Sequence, residues 1–224
     1  MKTIKFTKIV SSILFSAFLS SPSPADVTDP LSPSELESAL VISNTKTISV
    51  RGLQKSRNNS YTAPSEPELL LIERRPVDKA ADSQRLADVY SYDYSTNETI
   101  HDIVNLDTQQ LIATERLQYL QLPLTENELQ RSTAIIFSDQ EEAALIRDEY
   151  QRITGNYLSS PEQLNIKAFA FTADTLPEQL NPASQQCGLH RCAQVLLYTH
   201  DSIVFEISPI VNLSAGIVTQ NIGY

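Results

Sequence analysis

The chain has 224 residues, with 17 Lys and Arg against 27 Asp and Glu, a formal net charge of −10, five glycines and two cysteines. So acidic a balance disfavours nucleic acid and anionic lipid as partners, because both bring charge of the same sign. Five glycines leave little room for a Gly-rich phosphate loop, and the length suits one or two domains.

Residues 1–25 carry Lys2, Lys5 and Lys8, no acid, an apolar run from Ile9 to Leu19, and the small-residue site Ser23-Pro24-Ala25. This is the layout of a secretory signal peptide of bacterial type, with cleavage expected after Ala25. The apolar run is too short for a comfortable membrane span, and no later stretch is long enough for one. The mature chain is therefore expected to be soluble and exported, periplasmic or extracellular. It keeps 14 basic residues against 27 acids, a net charge of −13. Such a surface would mildly attract cationic small molecules. The glycosylation sequons at Asn58, Asn97 and Asn212 are expected to go unused in a bacterial protein.

Past the signal, the sequence repeats itself. Pro30-Leu31-Ser32-Pro33-Ser34-Glu35-Leu36 returns 93 residues later as Pro123-Leu124-Thr125-Glu126-Asn127-Glu128-Leu129. In the first copy Ser32 predicts an N-cap, Glu35 the far side of a capping box, and Leu31 with Leu36 a hydrophobic staple. The helix should run to about Asn44 and bury Leu36, Leu40 and Val41. Strands are expected over Thr47–Leu53 and Glu68–Arg75, with a polar loop over Gln54–Pro67 between them. A hairpin over Val89–Tyr94 and Thr99–Leu106 follows, then a strand over Gln110–Leu117.

In the second copy Thr125 caps and Glu128 closes the box, predicting a helix to about Phe137 that buries Leu129 and Ile136. Ser138-Asp139-Gln140-Glu141 opens an extra helix carrying Leu145, Ile146, Tyr150 and Ile153, ended by Gly155. Leu164–Thr172 reads as a strand and Thr175–Gln186 as a loop. Ala193–His200, Ile203–Leu213 and Ile217–Ile222 read as the closing strands. Ile210-Val211-Asn212-Leu213 matches Ile103-Val104-Asn105-Leu106 at a distance of 107 residues. The expected architecture is α+β: two tandem domains, residues 26–120 and 121–224, each a helix packed on an antiparallel sheet.

Few residues suggest chemistry. Cys187 and Cys192 read as a disulfide closing a small ring in an oxidising compartment. The alternative, a metal held by Cys187, His190, Cys192 and His200, needs an arrangement that a disulfide forbids. Tyr90, Tyr92 and Tyr94 alternate along one strand and share a face. That face is either an aromatic ligand platform or core. The second copy places Leu196, Tyr198 and His200 there, which favours core beneath the helix with hydroxyls at the rim. The acids Asp139, Glu141, Glu142, Asp148 and Glu149 crowd the extra helix; those in its first turn suit the helix dipole. No Gly-x-Ser-x-Gly elbow is present.

The opening Asp29-Pro30-Leu31-Ser32-Pro33-Ser34-Glu35-Leu36 resembles the start of the small amino-terminal domains of copper amine oxidases. Tyr92 to Thr99 and Ile103 to Thr108 are similar to a hairpin of those domains. Leu124–Asp139 and Ala193–Thr219 resemble the start and the closing strands of the next domain. The resemblance spans about Asp29 to Gln220. It implies two cystatin-like modules of the kind attached to the edge of a much larger catalytic domain, and that catalytic domain is not expected here. Catalysis in that family needs a topaquinone-forming Asn-Tyr-Asp/Glu motif and copper on three histidines, two of them in His-x-His. Here Asn156-Tyr157 is followed by Leu158, and His101, His190 and His200 show no such spacing. No catalytic, cofactor or metal residue is carried over, and no enzyme activity is expected of the chain alone. The Gln-x-Val-x-Gly turn of inhibitory cystatins is absent as well. The resemblance implies an accessory protein whose partner is an exported amine oxidase or another envelope protein. Alternatives are a separate subunit of a split amine oxidase and a binder of a cationic small molecule.

Overall fold

The computed structural model describes residues 28–43, 63–76, 84–175 and 177–223. The expected signal peptide, the expected strand Thr47–Leu53 and most of the loop after it lie outside the described residues.

The first helix, α1 (Pro33–Ile42), starts on the expected capping box. The Glu35 N–H donates to Ser32 Oγ at 3.4 Å, and the Ser32 N–H donates to Glu35 Oε2 at 2.7 Å. Its buried stripe differs from expectation. Ala39 and Ile42 meet the sheet together with Leu31, whereas Val41 is 70% exposed. With Ala39 set against Ala87, Val89 and Val104, Val41 lies two residues on, about 200° round the helix, and so points away from the sheet. Four strands follow, β1 (Glu68–Arg74), β2 (Leu86–Asp93), β3 (Glu98–Asn105) and β4 (Gln110–Leu117), paired in that order as an antiparallel meander.

The second half repeats the plan. Thr125 and Glu128 form the capping box of α2 (Glu126–Ser138). The extra helix is α3 (Gln140–Thr154), capped by Asp139 and ended by Gly155 at φ 73°, a left-handed turn. Ile146 and Tyr150 are buried as expected, but Leu145 faces solvent. Then β5 (Leu164–Ala170), β6 (Cys192–Thr199), β7 (Pro209–Asn212) and β8 (Ile217–Asn221) form a second antiparallel meander in chain order. The long loop before β6 is built from short 3-10 turns and packs Phe171 and Leu180 on Cys187, Cys192 and Ile210.

β7 is much shorter than the expected Ile203–Leu213 strand. The N–H groups of Glu206 and Ile207 leave the ladder and donate to the Glu149 carboxylate of α3, at 2.7 and 3.1 Å. A buried carboxylate satisfies those donors as well as a neighbouring strand would, so pairing with β6 resumes only at Ile210.

The two sheets bury matched faces. Ala87 and Val89 lie under α1, and Ala193, Val195 and Leu197 lie under Ile135 and Ile136 of α2.

Candidate functional site

One arrangement of side chains occurs twice. Arg85 Nε and Nη2 donate to the two oxygens of Glu35 at 2.8 and 3.1 Å, and its Nη1 and Nη2 reach the carbonyls of Asp29 and Pro30. Arg191 Nε and Nη2 donate to both oxygens of Glu128 at 2.7 and 2.9 Å, and its Nη1 and Nη2 reach the carbonyls of Leu122 and Pro123. Each arginine thus ties the residue leading into β2 or β6 to the capping glutamate and to the chain entering the helix. The fork geometry of guanidinium suits this use. Sequence reading missed both arginines, although Arg85-x-Ala87-x-Val89 and Arg191-x-Ala193-x-Val195 form a third repeated anchor.

Electrostatics follow the geometry. The Arg85 guanidinium, outweighing burial, holds Glu35 at a pKa of about 2. Burial pushes Glu128 up, but Arg191 outweighs it and the carboxyl titrates below its ordinary value.

The second clamp is also part of a joint between the halves. Tyr94 donates its hydroxyl to Glu128 Oε1 at 2.8 Å and accepts from Arg131 Nη2 at 2.8 Å. Arg131 also pairs with Glu68 of β1, with Nη1 to Oε1 at 3.1 Å. Tyr92 donates to the carbonyl of Leu189 at 3.2 Å, across the joint. The Tyr92, Tyr94, Glu68, Glu128 and Arg131 residues of this joint are all buried.

This overturns the expected role of the tyrosine face. Tyr90, Tyr92 and Tyr94 lie on the side of the first sheet away from α1, because strand alternation gives the helix Ala87 and Val89 instead. Tyr92 and Tyr94 are core, but the core they join is that of the second half. Tyr90 stacks on His101 with ring centroids 4.5 Å apart, and His101 Nε2 lies 2.8 Å from Asp88 Oδ1.

Cys187 and Cys192 are bonded as a disulfide. The ring they close offers the carbonyls of Gly188 and Leu189 to Gln121 and Tyr92, and it contains Arg191. Beside it lies a cleft of about 520 Å³ lined by Tyr119, Asp174, Gln185, Gln186, Cys187 and Leu189. Three of the acids at the extra helix do structural work: Asp139 caps, Glu149 holds the broken strand, and Glu142 accepts from Asn221 at 2.7 Å, while Glu141 and Asp148 are exposed.

No protein-family model matches the sequence, and no curated protein is detectably similar to it. Among solved structures, the crystal structure of a copper-containing benzylamine oxidase from Hansenula polymorpha is similar, with a TM-score of 0.50 and 14% identity. The match covers 89% of this chain and 30% of that one. At that identity the likeness concerns the fold, which is a pair of helix-on-sheet units in this chain.

Among the described residues the three histidines do not fit a copper centre of the kind named for that enzyme. His101 stacks on Tyr90 in β3, the His190 ring meets Asn212 beside the disulfide, and His200 sits exposed at the end of β6. Among the described residues no three His, Cys, Asp or Glu side chains converge as a metal site. Tyr157 is exposed beyond the end of α3.

Proposed function

We propose that the chain is an exported, non-catalytic accessory protein that acts by binding another protein. The observation that carries this reading is the use made of its ionisable groups. Arg85, Arg131, Arg191, Glu35, Glu68, Glu128 and Glu149 all close helix entries, strand breaks or the joint between halves. Groups committed in this way are not poised for acid–base or nucleophilic work. The apparent signal peptide and the disulfide support export.

The similarity to part of a benzylamine oxidase supports one partner class, an exported amine oxidase, and a second reading in which the chain is a subunit of such an enzyme made in pieces. Both are tested by crosslinking and affinity capture from the exported fraction of the source organism, followed by amine-oxidation assays on the captured complex. The accessory reading expects a defined partner and no turnover by this chain alone. The split-enzyme reading expects copper-dependent amine oxidation that requires both chains. Purified chain that oxidises an amine unaided would overturn both.

A further inference from the structure

The cleft beside the disulfide lies between the segment that joins the two halves and the loop before β6. Tyr119 lines it from the joining segment, and Asp174, Gln185, Gln186 and Leu189 line it from the second half. Its volume of about 520 Å³ is that of a ligand pocket. Both sides are pinned to the buried joint. Gln121, two residues after Tyr119, donates to the Gly188 carbonyl at 2.7 Å, and Tyr92 donates to the Leu189 carbonyl at 3.2 Å. A cleft shaped in this way beforehand binds at a lower ordering cost.

Its polar groups are uncommitted. Asp174 is the one charged residue of the lining, and among the described residues no group pairs with its carboxylate. Glu35, Glu68, Glu128 and Glu149 are all tied up in clamps and joints, so Asp174 stands apart from them. The Gln186 side chain likewise has no partner among the described residues, and Gln185 uses only its amide N–H, on the Leu180 carbonyl. Tyr119 sits at φ 63°, where an aromatic residue is rare, yet its side chain is 67% exposed and its hydroxyl meets no described group. The fold gains no packing from that ring to offset the strained backbone, and strain of this kind gathers at binding sites.

We propose that the cleft receives an arginine side chain of a partner, its guanidinium on Asp174 and flat against the Tyr119 ring. The proposal rests on the accessory reading only in taking the partner to be a protein. A carboxylate accepts a guanidinium through two parallel bonds, an aromatic face stacks on its plane, and the oxygens of Gln185 and Gln186 suit its remaining N–H groups. An ammonium group has no plane to stack. An anion would meet Asp174 and the net charge of −10, which instead steers a basic segment inward.

NMR titration of the mature chain with N-acetyl-arginine methylamide tests this without a partner. Saturable amide shifts are expected at residues 119, 174, 185, 186 and 189. The citrulline analogue, which has nearly the same shape and no charge, and the lysine analogue are each expected to bind more weakly. Asp174→Asn is expected to weaken arginine binding about tenfold and Tyr119→Asn about threefold or more. Asparagine tolerates the left-handed backbone, so the second variant removes the ring and keeps the loop. Both positions are exposed, and melting temperatures check that the variants stay folded. Shifts that are unsaturable or scattered over the acidic surface, citrulline or lysine binding as well as arginine, or variants that bind like the wild type would each overturn the proposal. Because the titration needs only this chain, its failure leaves the capture test of the accessory reading standing. A failed capture likewise leaves the titration to be read by itself.

Discussion

Arg191 and Glu128 face each other with neither side chain exposed, joined by two hydrogen bonds of 2.7 and 2.9 Å. Their counterparts in the first half, Arg85 and Glu35, keep the same geometry near the surface. The pair is a natural experiment in burial. Removing one partner of a buried ion pair strands the other charge, at a cost of about 3–5 kcal/mol. Arg191→Met is therefore expected to destabilise strongly in urea unfolding, and Arg85→Met less, because water reaches Glu35. Adding Glu128→Gln to Arg191→Met should recover part of the loss; a double variant no better than the single would disprove the stranded-charge account.

The dependence on pH has two opposing parts. Glu35, held at about 2 against an ordinary 4.5, contributes stability that is present above 4.5 and lost as pH falls towards 2. Glu128 is also lowered and acts in the same direction. Glu142 is raised by burial, so keeping it ionised costs stability once pH rises above 4.5. One of its oxygens, Oε1, is buried without a hydrogen-bond partner. Glu142→Gln is expected to stabilise the protein at neutral pH and to lose that advantage below pH 4. Glu35→Gln should flatten the acid limb. Melting temperatures of the three proteins from acid to neutral pH check both signs.

Much of this fold was legible because its signals are local. Ser32 with Glu35 and Thr125 with Glu128 are three residues apart, and a capping box needs nothing further. Asp139 and Gly155 bounded the extra helix in the same way. Period-two alternation placed Tyr90, Tyr92 and Tyr94 on one face, but no local rule says what covers a face. The cover is α2, whose Arg131 meets Glu68 from 63 residues away. The strand expected over Ile203–Leu213 failed for the same reason, since Glu149 takes its N–H groups from 57 residues away. Joint and broken strand alike depend on buried charge meeting distant partners, which apolar periodicity does not report.

The disulfide should matter more for the joint than for the core. It closes the ring whose Gly188 and Leu189 carbonyls accept from Gln121 and Tyr92. Cys187→Ser with Cys192→Ser is expected to lose roughly 2 kcal/mol, the loop-closure value for so short a ring. Hydrogen exchange should quicken at residues 187–192 and at the Tyr92 end of β2, while the Ala87 to Val89 part of β2 and its α1 cover keep their protection. Exchange that rises evenly across both halves would contradict the assignment. Intact mass with and without reductant verifies the bond in the exported protein.

Glu68 and Arg131 decide whether the halves unfold together. Their pair, with the Tyr94 hydroxyl between Arg131 and Glu128, is buried and links β1 to α2. Arg131→Met leaves Glu68 and Tyr94 facing an apolar side chain, a loss of about 3–5 kcal/mol charged to the joint. Each half keeps its own clamp and its own helix-covered face, so the stability of each alone is little changed. A single calorimetric transition in the wild type should then divide into two in Arg131→Met. Glu68→Leu with Arg131→Met replaces the charges by apolar groups and is expected to draw the transitions together again. If Arg131→Met still melts in one step with its midpoint merely lowered, the halves share a core too large for one ion pair to divide.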